Sequence, residues 1–90
     1  MPQSAPQLIE SSAKLSKRLI QRRLELEFTQ GQVAERVVFW NRQKREWGAL
    51  SRSAYCMYES GDVVPDLNKV ERLAEALDCS PAWLAFGARA

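Results

Sequence analysis

"LSRSAYCMYESG", residues 50–61, places a serine, an arginine and a second serine at the front of a short segment, two tyrosines in its body and a glycine at its end. Ser51 is a residue type whose side chain accepts the unpaired N–H groups of a helix's first turn, and Gly61 suits the left-handed position just past a helix. In a helix between these signals Tyr55 and Tyr58 lie one turn apart. The tyrosines then turn back onto the protein while Ser51, Arg52 and Ser53 occupy the leading turn.

The same capping logic extends in both directions. In "FTQGQVAERVV", residues 28–38, Thr29 is an N-cap and Gln32, three residues on, completes a capping box, with Val33, Ala34 and Val37 facing inward. Upstream, from Ser11 or Ser12 to about Leu26, Leu15, Leu19, Ile20, Leu24 and Leu26 recur at helical spacing and Lys14, Lys17, Arg18 and Arg22 fill the outer face, read as solvated. Downstream, Asp66 caps a helix carrying Val70, Leu73, Ala74 and Leu77, and Ser80 with Pro81 opens a last short helix with Trp83, Leu84 and Phe86, stopped by Gly87. Residues 1–10, with two prolines, read as a flexible N-terminal arm, leaving residues 11–90 as one domain. The expected fold is all-α, a compact five-helix domain.

Composition narrows function. Ninety residues, 46% of them hydrophobic, suit one small core. No apolar run approaches the roughly 20 residues of a membrane span and the start of the chain does not resemble a signal peptide, so the expected address is the cytoplasm. With no histidine, and Cys56 and Cys79 far apart, no four-ligand metal set assembles; both cysteines read as reduced, partly buried thiols. The commonest general base is missing too, and no catalytic set replaces it, so neither an enzyme nor a cofactor is expected. Residues 11–52 carry ten basic and four acidic side chains, whereas residues 53–90 carry three and six. The first half therefore suits a polyanion.

The ordered set "TQGQVAERV" (29–37), "LSRSAYCMYESG" (50–61) and "PDLNKVERLAEALDCSPAWLAFG" (65–87) resembles the lambda-repressor-like helix-turn-helix domain of phage repressors and their bacterial relatives, across roughly residues 15–87. The resemblance implies a reading helix beginning near Ser51 whose first turn enters the major groove of double-stranded DNA. It implies Ser51, Arg52, Ser53 and Met57 as the base-reading set, with Cys56 at its edge. Arg52 suits bidentate readout of guanine, a phosphate contact being the alternative, and Ser51 has capping as its first role. Gln30 matches the family's phosphate-binding glutamine, and Arg23 with Glu59 matches a structural pair tying the first helix to the end of the reading helix.

One stretch departs from the pattern. Phe39–Ala49, "FWNRQKREWGA", adds about eleven residues between the two helices of the motif. Between Gly31 and Gly48 there is neither Gly nor Pro, so the second helix is expected to run on, with Trp40 continuing the Val33–Val37 stripe, and to return through Trp47–Gly48–Ala49. Trp40 and Trp47 are expected to be packing residues, and Arg42, Lys44 and Arg45 an exposed tip that either touches DNA phosphates or is simply solvated. The implied function is a sequence-specific transcriptional regulator, of the phage or prophage repressor type, acting as a homodimer through Trp83 and Phe86; closure of the core is the alternative role for these two. The rival reading is a protein-interaction module such as the antitoxin of a toxin–antitoxin pair, with a small protein partner. Single-stranded nucleic acid binding through the tryptophans is a third.

Overall fold

The computed structural model describes residues 4–88, and side chains from residue 14 onward. Its elements in chain order are α1 (Ser4–Glu25), α2 (Gln30–Arg36), β1 (Val38–Asn41), β2 (Glu46–Ala49), α3 (Arg52–Ser60), α4 (Leu67–Ala76) and α5 (Pro81–Phe86). The helical starts follow the capping chemistry. Thr29 and Gln32 form both halves of a capping box, and Ser51, Asp66 and Ser80 each accept a backbone N–H from the residue three further on. Gly61 and Gly87 close α3 and α5 in the left-handed region, at φ 86° and 76°. The first helix begins at Ser4, inside the segment expected to be a loose arm.

The core is one cluster. Leu15 and Leu19 of α1, Val33, Ala34 and Val37, Tyr55 and Tyr58 of α3, Val70, Leu73, Ala74, Ala76 and Leu77, and Leu84 of α5 are all buried. Helix α1 packs on α3 and α5, α2 on α3, and α4 on α5. One expectation for this core fails, since Leu24 is 59% exposed, and Phe86, at 77% exposed, does not take its alternative role of closing the core. In the last turn of α1, Arg22 reaches the end of α4 and Arg23 reaches α3, while Leu24 beside them faces solvent.

The larger correction concerns the joint between α2 and α3. The second helix is not extended; it stops at Arg36, and residues 38–49 form an antiparallel hairpin with Val38 opposite Ala49, Phe39 opposite Gly48, Trp40 opposite Trp47 and Asn41 opposite Glu46. The all-α expectation fails with it. Val37, Val38, Phe39 and Trp40 form a β-branched and aromatic run that packs better on a pleated surface than in a helix. Asn41 then turns the chain, its Oδ1 accepting the N–H groups of both Gln43 and Lys44 at 3.0 Å. At the base Leu50 N–H donates to Val37 O at 3.0 Å, returning the chain to the core before α3 begins.

Alternation along the strands decides which side chains reach the protein. Phe39 packs against the core cluster and lies under the Lys69 ammonium, 4.3 Å from its ring centroid. Trp40 and Trp47, expected to anchor the excursion by burial, lie on the opposite face, 47% and 58% exposed. They pack on each other edge to face, with centroids 5.6 Å apart, and Arg72 of α4 lies 5.8 Å from the Trp47 ring.

Candidate DNA interface

The first turn of α3 is open. Ser51, Arg52 and Ser53 are exposed and Met57, one turn beyond Ser53, is 41% exposed. Ser51 Oγ is committed to the Ala54 N–H at 3.1 Å, so capping is its demonstrated role. The Arg52 guanidinium makes no hydrogen bond or ion pair among the described residues. Its aliphatic stem runs beside the start of α2, where a methyl group on Gly31 would stand 3.8 Å from Arg52 Cδ. The structure therefore brings Arg52 next to Gly31 in the first turn of α2.

The back of α3 is as closed as its front is open. Tyr55 is fully buried and Tyr58 nearly so. Arg23 reaches across from α1, donating from Nε to Glu59 Oε2 at 2.6 Å, from Nη2 to Glu59 Oε1 at 3.1 Å, and from Nη1 to Phe28 O at 3.1 Å. The pair anticipated from the sequence is thus a two-pronged clamp, with the Glu59 side chain only 5% exposed. Burial opposes ionisation of Glu59, but hydrogen bonds led by Arg23, together with Arg23's charge, outweigh it and hold the carboxyl below its ordinary range. The hydrogen bond to Glu59 correspondingly raises the pKa of Arg23. The Tyr55 hydroxyl, buried and without a hydrogen-bond partner among the described residues, is pushed up first by burial and then by the neighbouring Glu59 carboxylate. The pair stays ionised and the phenol neutral at physiological pH.

Gln30 belongs to the same network, which the sequence did not reveal. Its Nε2 donates to Glu59 Oε1 at 3.0 Å, and its Oε1 accepts from Cys56 Sγ at 3.2 Å. Its side chain is therefore fixed by the clamp, with one amide hydrogen remaining beyond the bond to Glu59. Cys56 is half-buried and unpaired, as is Cys79, whose thiol is raised by burial.

Basic residues sort into two groups. Three arginines close helix ends: Arg22 donates to Leu77 O and Asp78 O, Arg36 to Ala76 O, and Arg18 to Leu84 O and Ala85 O, all between 2.8 and 3.0 Å. Each meets carbonyls that a helix leaves unsatisfied at its C-terminus, where a cation is also favoured by the dipole. Arg18 and Arg22 are therefore not the solvated face they resembled. Arg42, Lys44 and Arg45 form the second group, in the exposed turn joining β1 to β2. Their side chains make no hydrogen bond or ion pair among the described residues. Of the two aromatic residues expected at a dimer contact, Trp83 is half-buried against the core and Phe86 projects.

Among the described residues no helix is long and apolar enough to cross a membrane, and no group of three or more acidic or cysteine side chains is placed to hold a metal ion. No curated protein and no solved structure matches the chain. A family model described as a helix-turn-helix domain matches residues 14–85, which takes in most of α1, the whole clamp, the hairpin and α3. That match spans well over half of the chain and ends within α5: the protein belongs to the helix-turn-helix domain family and carries a DNA-binding domain of that kind.

Proposed function

We propose that this protein is a sequence-specific transcriptional regulator of the lambda-repressor-like, phage or prophage repressor type, which reads the major groove of double-stranded DNA with α3. The observation that carries this reading is the division of α3 into a free leading turn and a fastened back. Ser51, Arg52, Ser53 and Met57 face solvent, while Tyr55, Tyr58 and the Arg23–Glu59 clamp hold the helix to the body. Major-groove readers need this arrangement, because bidentate contacts to a base edge require a helix held at one angle.

In this assignment Arg52 binds guanine O6 and N7, Ser51 and Ser53 offer short hydroxyl contacts, and Met57 supplies apolar contact to a thymine methyl. Gln30, oriented by Glu59 and Cys56, donates its remaining amide hydrogen to a phosphate beside the groove. Arg42, Lys44 and Arg45 also bind phosphates. The regulator acts as a homodimer on a two-fold symmetric operator, since one reading helix discriminates too few base pairs for a genome-scale search and half-sites about 34 Å apart fit the motif. Phe86, 77% exposed on α5 beside the half-buried Trp83, is the apolar contact assigned to that dimer.

Selection from a random duplex pool tests the assignment. An enriched, two-fold symmetric site is expected, and Arg52→Ala should relax the preference at one base pair per half-site by about 1–3 kcal/mol, leaving affinity for unrelated DNA little changed. A pool that never enriches a site refutes sequence-specific regulation. An enriched site that Arg52→Ala binds with unchanged preference removes Arg52 from the reading set.

A further inference from the structure

The hairpin is held at several separate points. A two-stranded sheet with four residues in each strand is marginal by itself. Here it is fastened underneath by Phe39 against the core and under Lys69, at the side by Arg72 on Trp47, at the turn by Asn41, and on top by the Trp40–Trp47 contact. Yet the tryptophan face is open to solvent, so this pair contributes to holding the strands in register more than to the core. What the register holds in place is the turn Arg42–Gln43–Lys44–Arg45, three cations without partners among the described residues. Arg45 sits at φ 54°, a left-handed conformation that glycine or asparagine adopts more easily than arginine. Glu27 and Asp78 hold the same left-handed position just after α1 and α4, and at Arg45 it closes the hairpin turn.

We infer that the β1–β2 hairpin is a second DNA-contacting arm, seated on the phosphate backbone of duplex outside the base pairs read by α3, with Trp40 and Trp47 as positioning residues that keep its cationic turn in place. This inference rests on the proposed reading of α3. Charge complementarity selects the occupant. A second copy of the chain docked turn to turn would bring two sets of Arg42, Lys44 and Arg45 together, whereas a phosphate backbone neutralises them and releases counterions. The tryptophans touch no base in this arrangement; their rings brace each other across the strands.

The experiment is the salt dependence of binding by the full chain to the best-binding duplex from a random pool, once with about ten flanking base pairs on each side and once trimmed to the site. Replacing Arg42, Lys44 and Arg45 by Gln is expected to reduce the slope of log K against log salt by up to about 2.7, at about 0.9 per phosphate contact. A rise from about 50 to 200 mM salt then weakens wild type about 40-fold more than the variant. Trp40→Ala with Trp47→Ala removes no charge but should also lower the slope, by more than about 0.9, and Trp40→Phe with Trp47→Phe should restore it. Both effects should vanish on the trimmed duplex, and base preference should be unchanged.

An unaltered slope in the triple glutamine variant overturns the arm. A tryptophan effect that is equal at all salt concentrations, or equal on trimmed and flanked duplexes, overturns the positioning role; helicity by circular dichroism identifies a variant that has lost its fold, and the glutamine variant then decides. Arg52→Ala, run in parallel, separates the two readings: it alters preference and not slope if α3 reads bases, whereas a slope carried by the hairpin with no preference anywhere sinks the α3 reading, and with it the arm's place outside the read base pairs.

Discussion

Arg23→Ala is the substitution whose consequence the structure specifies most closely. It removes three donors, two to the Glu59 carboxylate at 2.6 and 3.1 Å and one to Phe28 O at 3.1 Å. Glu59, with a side chain 5% exposed, is then left as a buried anion whose remaining donor among the described residues, Gln30 Nε2, is neutral. Truncating one partner of a buried pair costs about 3–5 kcal/mol, mostly because the other charge stays desolvated and uncompensated. A domain of this size has roughly 5–14 kcal/mol in total. The melting temperature, followed by circular dichroism at pH 7, should therefore fall by at least about 12 °C. Glu59→Gln keeps the shape, and Arg23, 15% exposed, is left within reach of water, so its cost should be smaller, about 1–3 kcal/mol. The two variants also differ with pH. The Glu59 pKa is lowered on folding, so its contribution is fully present above the ordinary carboxylate value of about 4.5 and is lost as pH falls through the folded value below it. Glu59→Gln should flatten that part of the acid limb. A loss below about 1 kcal/mol in Arg23→Ala, or an acid limb unchanged in Glu59→Gln, would refute the clamp as the fastening of α3.

Other substitutions test the supporting structure. Arg36→Ala and Arg22→Ala should each cost about 1–2 kcal/mol in urea unfolding by exposing the last carbonyls of α4, and leave the salt dependence of DNA binding as in wild type, since neither is assigned to phosphate. Gly61→Ala should cost about 1–2 kcal/mol, because residue 61 has φ 86° and a Cβ there would lie 3.3 Å from Ser16 Oγ. Glu27→Gly should raise stability by about 0.5–1 kcal/mol, since Glu27 holds the left-handed position after α1 at φ 58°. Thr29→Ala, which abolishes the capping box of α2, should cost about 0.5–2 kcal/mol in the same assay.

The sequence disclosed the helices because their signals are local. Thr29, Ser51, Asp66, Ser80, Gly61 and Gly87 each act on the backbone within three or four residues, and each is found in its expected capping position. The motif also identified Arg23 with Glu59, two residues 36 apart in the chain that composition alone would never pair. Residues 38–49 escape a local reading because the absence of Gly and Pro before Gly48 leaves a helix open, while strand preference in Val37–Trp40 is realised only against a partner strand. A helix at Trp40 and a strand at Trp40 both place an aromatic near Val37, and only the pairing of Trp40 with Trp47 across the turn distinguishes them. The roles of Arg18, Arg22 and Arg36 were hidden for a different reason. A cation that caps a helix end far along the chain has the same local sequence as one facing water, and only tertiary contact tells them apart. The resemblance gives Gln30 as a phosphate-binding glutamine, but its bonds to Glu59 and Cys56 depend on how α2 meets α3.

The most direct measurement of the central claim, that the leading turn of α3 lies in the major groove, is interference by guanine N7 methylation on the selected duplex. N7 faces only the major groove, where Arg52 is assigned to bind it. Wild type should lose binding when one particular guanine in each half-site is methylated, and Arg52→Ala should bind methylated and unmethylated duplexes equally well. Wild-type binding that tolerates methylation at every guanine, while alkylation of adenine N3 in the minor groove abolishes it, would contradict the account.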